Sequence, residues 1–215
     1  MKAIALLSGG LDSTVAYYFA CKIKGDEEVL PFFISYEQRS ATRELECALA
    51  LAKNKLIQYN IRLPNWIGST ITTPSLQVLV PNGLPPSFVP GRNIIMLSFA
   101  GALAKVTGAD EIYGGWNVID YSSYPDCHDK FLHNMEWALR EGLDHGFLRI
   151  KRPLVDMKKS DIILMGTKIG VPFELTWSCY LNIQKPCKEC DSCKQRARAF
   201  EEAGIEDPLM KEEKS

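Results

Sequence analysis

Apolar and polar positions alternate along the chain in a repeating order of short runs and longer amphipathic stretches. Residues 2–7, apolar from Ala3 to Leu7, form a run of the length of a strand buried on both faces. Residues 15–20 then read as a helix, 29–35 as a second strand, and 39–53 as a helix with Leu45, Ala48, Leu49 and Ala52 on one face. Residues 56–63 alternate and predict a third strand. Residues 92–108 predict a strong helix stopped by Gly108, and 111–115 a short strand ending in two glycines. A helix over 126–145, a last strand over 147–150 and a last helix over 160–169 complete the pattern. The β-α-β order predicts an α/β fold: a Rossmann-like parallel sheet of about five strands, with helices on both faces. Residues 64–90 show no period, as in functional lids or disordered segments.

Ligands of open α/β sheets bind beyond the carboxyl ends of the strands. The loop after the first strand, Ser8-Gly9-Gly10-Leu11-Asp12-Ser13-Thr14, is the strongest candidate. Glycines there permit conformations and close approaches that a side chain forbids. The first amides of the following helix lack intrahelical partners, and the helix dipole favours an anion. With three hydroxyls (Ser8, Ser13, Thr14) the loop is a phosphate cradle. It is not the common phosphate loop, because the lysine of G-x-x-x-x-G-K-[ST] is absent.

Composition adds bounds. The 215 residues suit one domain with a small appendage, and the formal charge of −1 does not mark a nucleic-acid binder, so no direct nucleic-acid partner is expected. No secretory signal or membrane-spanning run is evident, so a cytoplasmic protein with no membrane partner is expected. Seven cysteines are then expected reduced. Cys179, Cys187, Cys190 and Cys193 follow C-x7-C-x2-C-x2-C, a spacing that closes a tetrahedral structural zinc site. Zinc is preferred over an iron–sulfur cluster. Cys21 and Cys47 are expected in the core. For Cys127, binding or packing is preferred over covalent catalysis, since no base is placed beside it by spacing.

The glycine loop resembles the SGGxDS/T pyrophosphate loop of N-type ATP pyrophosphatases, which cleave ATP between the α- and β-phosphates. Further stretches extend the resemblance: Tyr36-Glu37-Gln38-Arg39, Val89-Pro90-Gly91-Arg92-Asn93, Asp120-Tyr121-Ser122, Tyr124-Pro125-Asp126-Cys127, Pro153-Leu154 with Lys159, Thr176-Trp177-Ser178-Cys179-Tyr180 and Asp207-Pro208. Together they look like the 7-cyano-7-deazaguanine synthase (QueC) family. That resemblance implies an ATP-dependent ligase acting on 7-carboxy-7-deazaguanine and ammonia. An acyl-adenylate forms, then an amide, and a second activation gives the nitrile, with AMP and pyrophosphate released. A relative that stops at the amide, or transfers the acyl group to another amine such as a protein, is the alternative. A homodimer is implied by resemblance alone.

The same resemblance assigns roles. Ser8, Gly9, Gly10, Leu11, Asp12, Ser13, Thr14 and Ser35 would hold ATP, with Asp12 a magnesium ligand. Asp12, Arg92 and Lys159 form the catalytic set. Tyr36, Gln38, Arg39, Arg92, Asn93, Asp120, Tyr121, Tyr124 and Asp126 would face the deazaguanine; Asp126 is also open to reading as a helix N-cap. Residues 1–178 would be the ATPase domain, 179–208 the zinc segment packed on it, and 209–215 a frayed tail. Three departures stand out. The family's usual Tyr-Gly-Gln-Arg-His is Tyr36-Glu37-Gln38-Arg39-Ser40 here, and its Ser-Gly-Tyr-Pro-Asp-Cys-Arg is residues Ser122 to His128. Its Pro-Cys-Gly is Pro186-Cys187-Lys188.

Overall fold

A computed structural model describes residues 2–62, 69, 71–72, 84–118, 124–181 and 183–210. Five strands, β1 (Lys2–Leu6), β2 (Val29–Ser35), β3 (Ile57–Asn60), β4 (Ala109–Tyr113) and β5 (Arg149–Lys151), form one sheet in the order β3-β2-β1-β4-β5. Every pairing is parallel; Ala3 sits opposite Val29 on one side, and Ile4 opposite Ile112 on the other. The strand order reverses between β1 and β4, which opens a crevice at their carboxyl ends.

Period-two alternation sorts the core into two layers. Ala3 and Ala5 of β1 and Phe33 of β2 pack on the side of α1 (Leu11–Lys24) and α2 (Ala41–Leu51). Ile4, Phe32 and Ile34 pack on the opposite side, against Leu97 and Ala100 of α3 (Arg92–Thr107) and Leu132 and Leu139 of α4 (Asp129–Gly142). A third cluster joins Val15 of α1 to Ile162 and Ile163 of α5 (Lys159–Lys168) and to Ala199 and Phe200 of α6 (Asp191–Glu202).

Some elements differ from the sequence pattern. Helix α1 begins at Leu11, because Gly10 takes an extended conformation and serves as its N-cap. Asp12, Ser13 and Thr14 thereby enter the first turn. The helix expected over 126–145 starts at Asp129; Pro125–Cys127 is a separate 3-10 turn, and His128 is extended. The last strand lies at 149–151, leaving Phe147 81% exposed. Helix α6 has no counterpart in the sequence reading, because charged residues and cysteines interrupt its apolar stripe. Most of 64–90, and 211–215 of the expected tail, lie outside the described residues.

Candidate active site

The loop between β1 and α1 is held from three sides. Gly9 adopts φ 76°, and a Cβ there would lie 2.5 Å from the Glu44 carbonyl oxygen, so both conformation and space demand glycine. The Gly9 carbonyl accepts the Trp177 N–H at 2.8 Å. At the exit of β4, a Cβ on Gly115 would lie 2.6 Å from the Asp12 backbone carbon; the two loops meet backbone to backbone. Ser8 and Ser13 are 2.9 Å apart through their hydroxyls, and both line a cleft of about 300 Å³. The buried Thr14 hydroxyl instead donates to the Gly10 carbonyl at 2.7 Å and lies off the cleft, as do Gly9 and Ser35.

Asp12 is where a separate segment joins the loop. Lys159, the first residue of α5, places Nζ 2.6 Å from Asp12 Oδ2. The other oxygen, Oδ1, is buried and accepts no hydrogen bond. A buried carboxylate oxygen without a donor is suited to a cation.

Away from the glycine loop the cleft runs between β2, α2 and α3. Tyr36, Gln38, Glu44, Arg92 and Asn93 line it. Gln38 is buried, accepting the Tyr36 N–H at 2.8 Å and donating to Glu44 Oε2 at 2.8 Å. Ser40 donates to Glu44 Oε1 at 2.6 Å. Burial pushes the Glu44 carboxyl above its ordinary value, against the opposing pull of Ser40, Gln38 and Arg92. Burial disfavours the Arg92 charge, but the Tyr36 hydroxyl it bonds, Asp126 and Cys127 outweigh that and hold the guanidinium firmly protonated.

Other expected contacts lie elsewhere. The buried Asp126 carboxylate accepts the Asn93 backbone N–H at 3.2 Å, so it caps the first turn of α3 from across the fold, and it does not line the cleft. Asn93 Nδ2 donates to the Asp126 carbonyl and to Cys127 Sγ. Tyr124 bonds the Ser87 hydroxyl at 2.7 Å and stacks on Phe88, off the cleft. Arg39 is exposed and off the cleft as well. Asp120 and Tyr121 lie outside the described residues. Glu44, Trp177, Tyr180, Ser192 and Arg196 line the cleft without having been singled out as contacts.

The four cysteines converge. The sulfurs of Cys179, Cys187, Cys190 and Cys193 all lie within 4.8 Å of one another. A tetrahedral thiolate site with metal–sulfur bonds of about 2.3 Å needs sulfur separations of about 3.8 Å. Cys187 and Cys193 stand 3.9 Å apart. The Cys190 N–H donates to Cys187 Sγ at 3.3 Å. Burial tends to raise the Cys187 thiol, yet the N–H groups of Cys190 and Glu189 bring it down to about 7. The set could hold a metal ion. Buried Arg196 of α6 ties this segment to the glycine loop. It makes a two-pronged pair with Asp207 at 2.7 and 2.8 Å and donates to the Thr176 hydroxyl at 2.7 Å, next to the Trp177 amide that reaches Gly9.

Residues 2–204 match the family described as queuosine biosynthesis protein QueC. The chain belongs to the QueC family. The 7-cyano-7-deazaguanine synthase of Trichodesmium erythraeum is 40% identical over 228 aligned positions, covering 98% of this chain and all of that protein (100%). The synthase of Thermoplasma acidophilum is 41% identical, over 97% and 91% of the two chains. Among solved structures, an NMN synthetase from Francisella tularensis superposes with a TM-score of 0.54 at 19% identity, covering 95% of this chain and 78% of that one, which speaks to the fold alone. Two of the departures from the usual QueC pattern fall together on the backbone. Glu37 and Lys188, each where a glycine is usual, adopt φ 63° and 61°. Both sit in the left-handed region that glycine occupies at no cost.

Proposed function

We propose that this QueC-family chain is a carbon–nitrogen ligase making 7-cyano-7-deazaguanine from 7-carboxy-7-deazaguanine, ammonia and ATP. The observation that carries the reading is the Asp12–Lys159 pair at the head of the glycine loop, in one cleft with Arg92. Ser8, Gly10, Leu11, Ser13 and the first-turn amides of α1 would cradle the pyrophosphate of ATP. Asp12 Oδ1, buried and without a donor, fits magnesium, which when bound would neutralise phosphate charge. Lys159, already 2.6 Å from Asp12, would follow the phosphates as that charge builds. Arg92 would orient the substrate carboxylate so that one oxygen attacks the α-phosphorus and pyrophosphate leaves. Ammonia then displaces AMP to give the amide, whose oxygen attacks the α-phosphorus of a second ATP as a second pyrophosphate leaves; loss of AMP and of both amide N–H protons gives the nitrile. The protein's contribution is positioning and charge complementarity.

The four-thiol set fits zinc in a closed, structural coordination, so we assign it to folding of residues 179–208 on the domain formed by 1–178. A homodimer is proposed on family resemblance. No helix among the described residues is long and apolar enough to cross a membrane. The relatives' name favours the nitrile over an amide-forming or acyl-transferring variant. The test is mass spectrometry of products from ATP, 7-carboxy-7-deazaguanine and ammonium, with AMP counted. Two AMP per nitrile is expected; one AMP per product, with the amide persisting under excess ATP, would overturn nitrile formation.

A further inference from the structure

A 7-deazaguanine has two kinds of polar edge. Its 7-carboxylate is an anion. The opposite, pyrimidinone side carries N1–H and the 2-amino group, a pair of donors that a carboxylate accepts in parallel. Among the described residues, two carboxylates line the cleft, Asp12 and Glu44. Asp12 belongs to the glycine loop and is paired with Lys159. Asp126, the carboxylate first expected to meet the base, is off the cleft with one oxygen on the Asn93 amide. Arg196 also lines the cleft, but its guanidinium is bound by Asp207 and the 173–178 segment. Among the described residues, Glu44 and Arg92 are therefore the two charged groups left for the substrate.

Glu44 is held for such a task. Ser40 fixes Oε1 at 2.6 Å and Gln38 fixes Oε2 at 2.8 Å. Each carboxylate oxygen has two acceptor sites, so one on each remains after these bonds. The donor of the second bond, Gln38, is itself locked by the Tyr36 N–H. Phe32, Ile34, Ile71 and Met96 supply an apolar lining suited to a flat ring.

We propose that Glu44 is a specificity-determining residue that accepts the N1–H and 2-amino donors of the deazaguanine, with Ser40 and Gln38 as positioning residues. This rests on the reaction proposed above. It makes the site selective for a 2-amino-pyrimidinone over bases that lack either donor. A site built to pair with a donor rejects the analogue without it, because its buried acceptor is then left unpaired.

The test compares 7-carboxy-7-deazaguanine with its 2-desamino analogue, with AMP release as readout, in the wild type and in Glu44→Gln. The wild type should favour the 2-amino substrate by about tenfold to a hundredfold in kcat/KM. In Glu44→Gln that ratio should collapse toward one, through the KM of the 2-amino substrate, while the KM for ATP stays put. If Glu44→Gln does not fold, Ser40→Ala gives the same reading: reduced discrimination at constant ATP KM. An unchanged ratio in a folded variant, or a rise confined to the ATP KM, overturns the assignment of Glu44 alone. Turnover of neither base by the wild type overturns the proposed reaction, and this inference with it.

Discussion

Replacing Glu37 by glycine should make the protein more stable, and the structure gives the size of the gain. At φ 63° the Glu37 Cβ crowds its own backbone. Left-handed helical geometry costs an L-residue about 1–2 kcal/mol. Glycine avoids this but adds freedom to the unfolded chain, which takes back about 0.4–1 kcal/mol. The Glu37 carboxylate contributes little that would be lost. Its ion pair with Arg62 is 3.5 Å long and the two side chains are 55% and 79% exposed, a setting in which pairs are worth roughly 0–1 kcal/mol and often nothing. The net expectation for Glu37→Gly is a gain of roughly 0.5–1 kcal/mol, which in a chain of this size raises the melting temperature by about 1–4 °C. Thermal melts of wild type, Glu37→Gly and Glu37→Ala decide it. Alanine removes the same ion pair but keeps the Cβ, so it should melt at or below wild type. Glycine and alanine variants melting together would refute the argument, since any shift would then come from the lost carboxylate.

Two further outcomes follow from the site. Asp12→Asn keeps the shape of the side chain but removes the charge beside Lys159, so it should fold normally and lose about 100-fold to 1,000-fold in AMP release; near-normal turnover in a folded variant would remove Asp12 from the catalytic set. Cys190→Ser should lower metal content and melting temperature together, since Cys190 is one of the four converging thiols. Elemental analysis showing iron, or no metal in an equally stable wild-type protein, would contradict zinc.

What the sequence reveals of this molecule is what short-range chemistry determines. β1, the glycine loop and α1 are contiguous, so apolar run, glycines and hydroxyls identify them directly. The four cysteines are legible for the same reason. Asp126 shows where such reading ends. Its carboxylate is taken by the amide of Asn93, 33 residues away in sequence, and no local spacing announces that bond. Glu44 was hidden in the opposite way. On a helical wheel it is an ordinary acid in the first turn of α2, and only the folded contacts with Gln38 and Ser40 turn it toward the cleft. The Ser40 hydroxyl also gives that departure from the family pattern a concrete role. Helix α6 is not legible in the sequence because part of what anchors it is thiols and one buried arginine, which carry no apolar period.

The Arg196–Asp207 pair bears on the order in which the molecule is assembled. Protein synthesis delivers the glycine loop within the first turn of the first βα unit, whereas the amide that bonds Gly9 belongs to Trp177, in a segment braced by an arginine whose own partner is residue 207. The glycine loop is thus among the first parts made and among the last to be secured. Contacts so distant in sequence form late and slowly, because the intervening chain must close before they are rewarded. A nascent chain stopped short of Asp207 would carry the whole sheet and the whole glycine loop, yet would lack the brace that sets the loop. With that loop as the proposed nucleotide cradle, competence to bind nucleotide would report that synthesis has passed Asp207, and a stalled fragment would not sequester ATP.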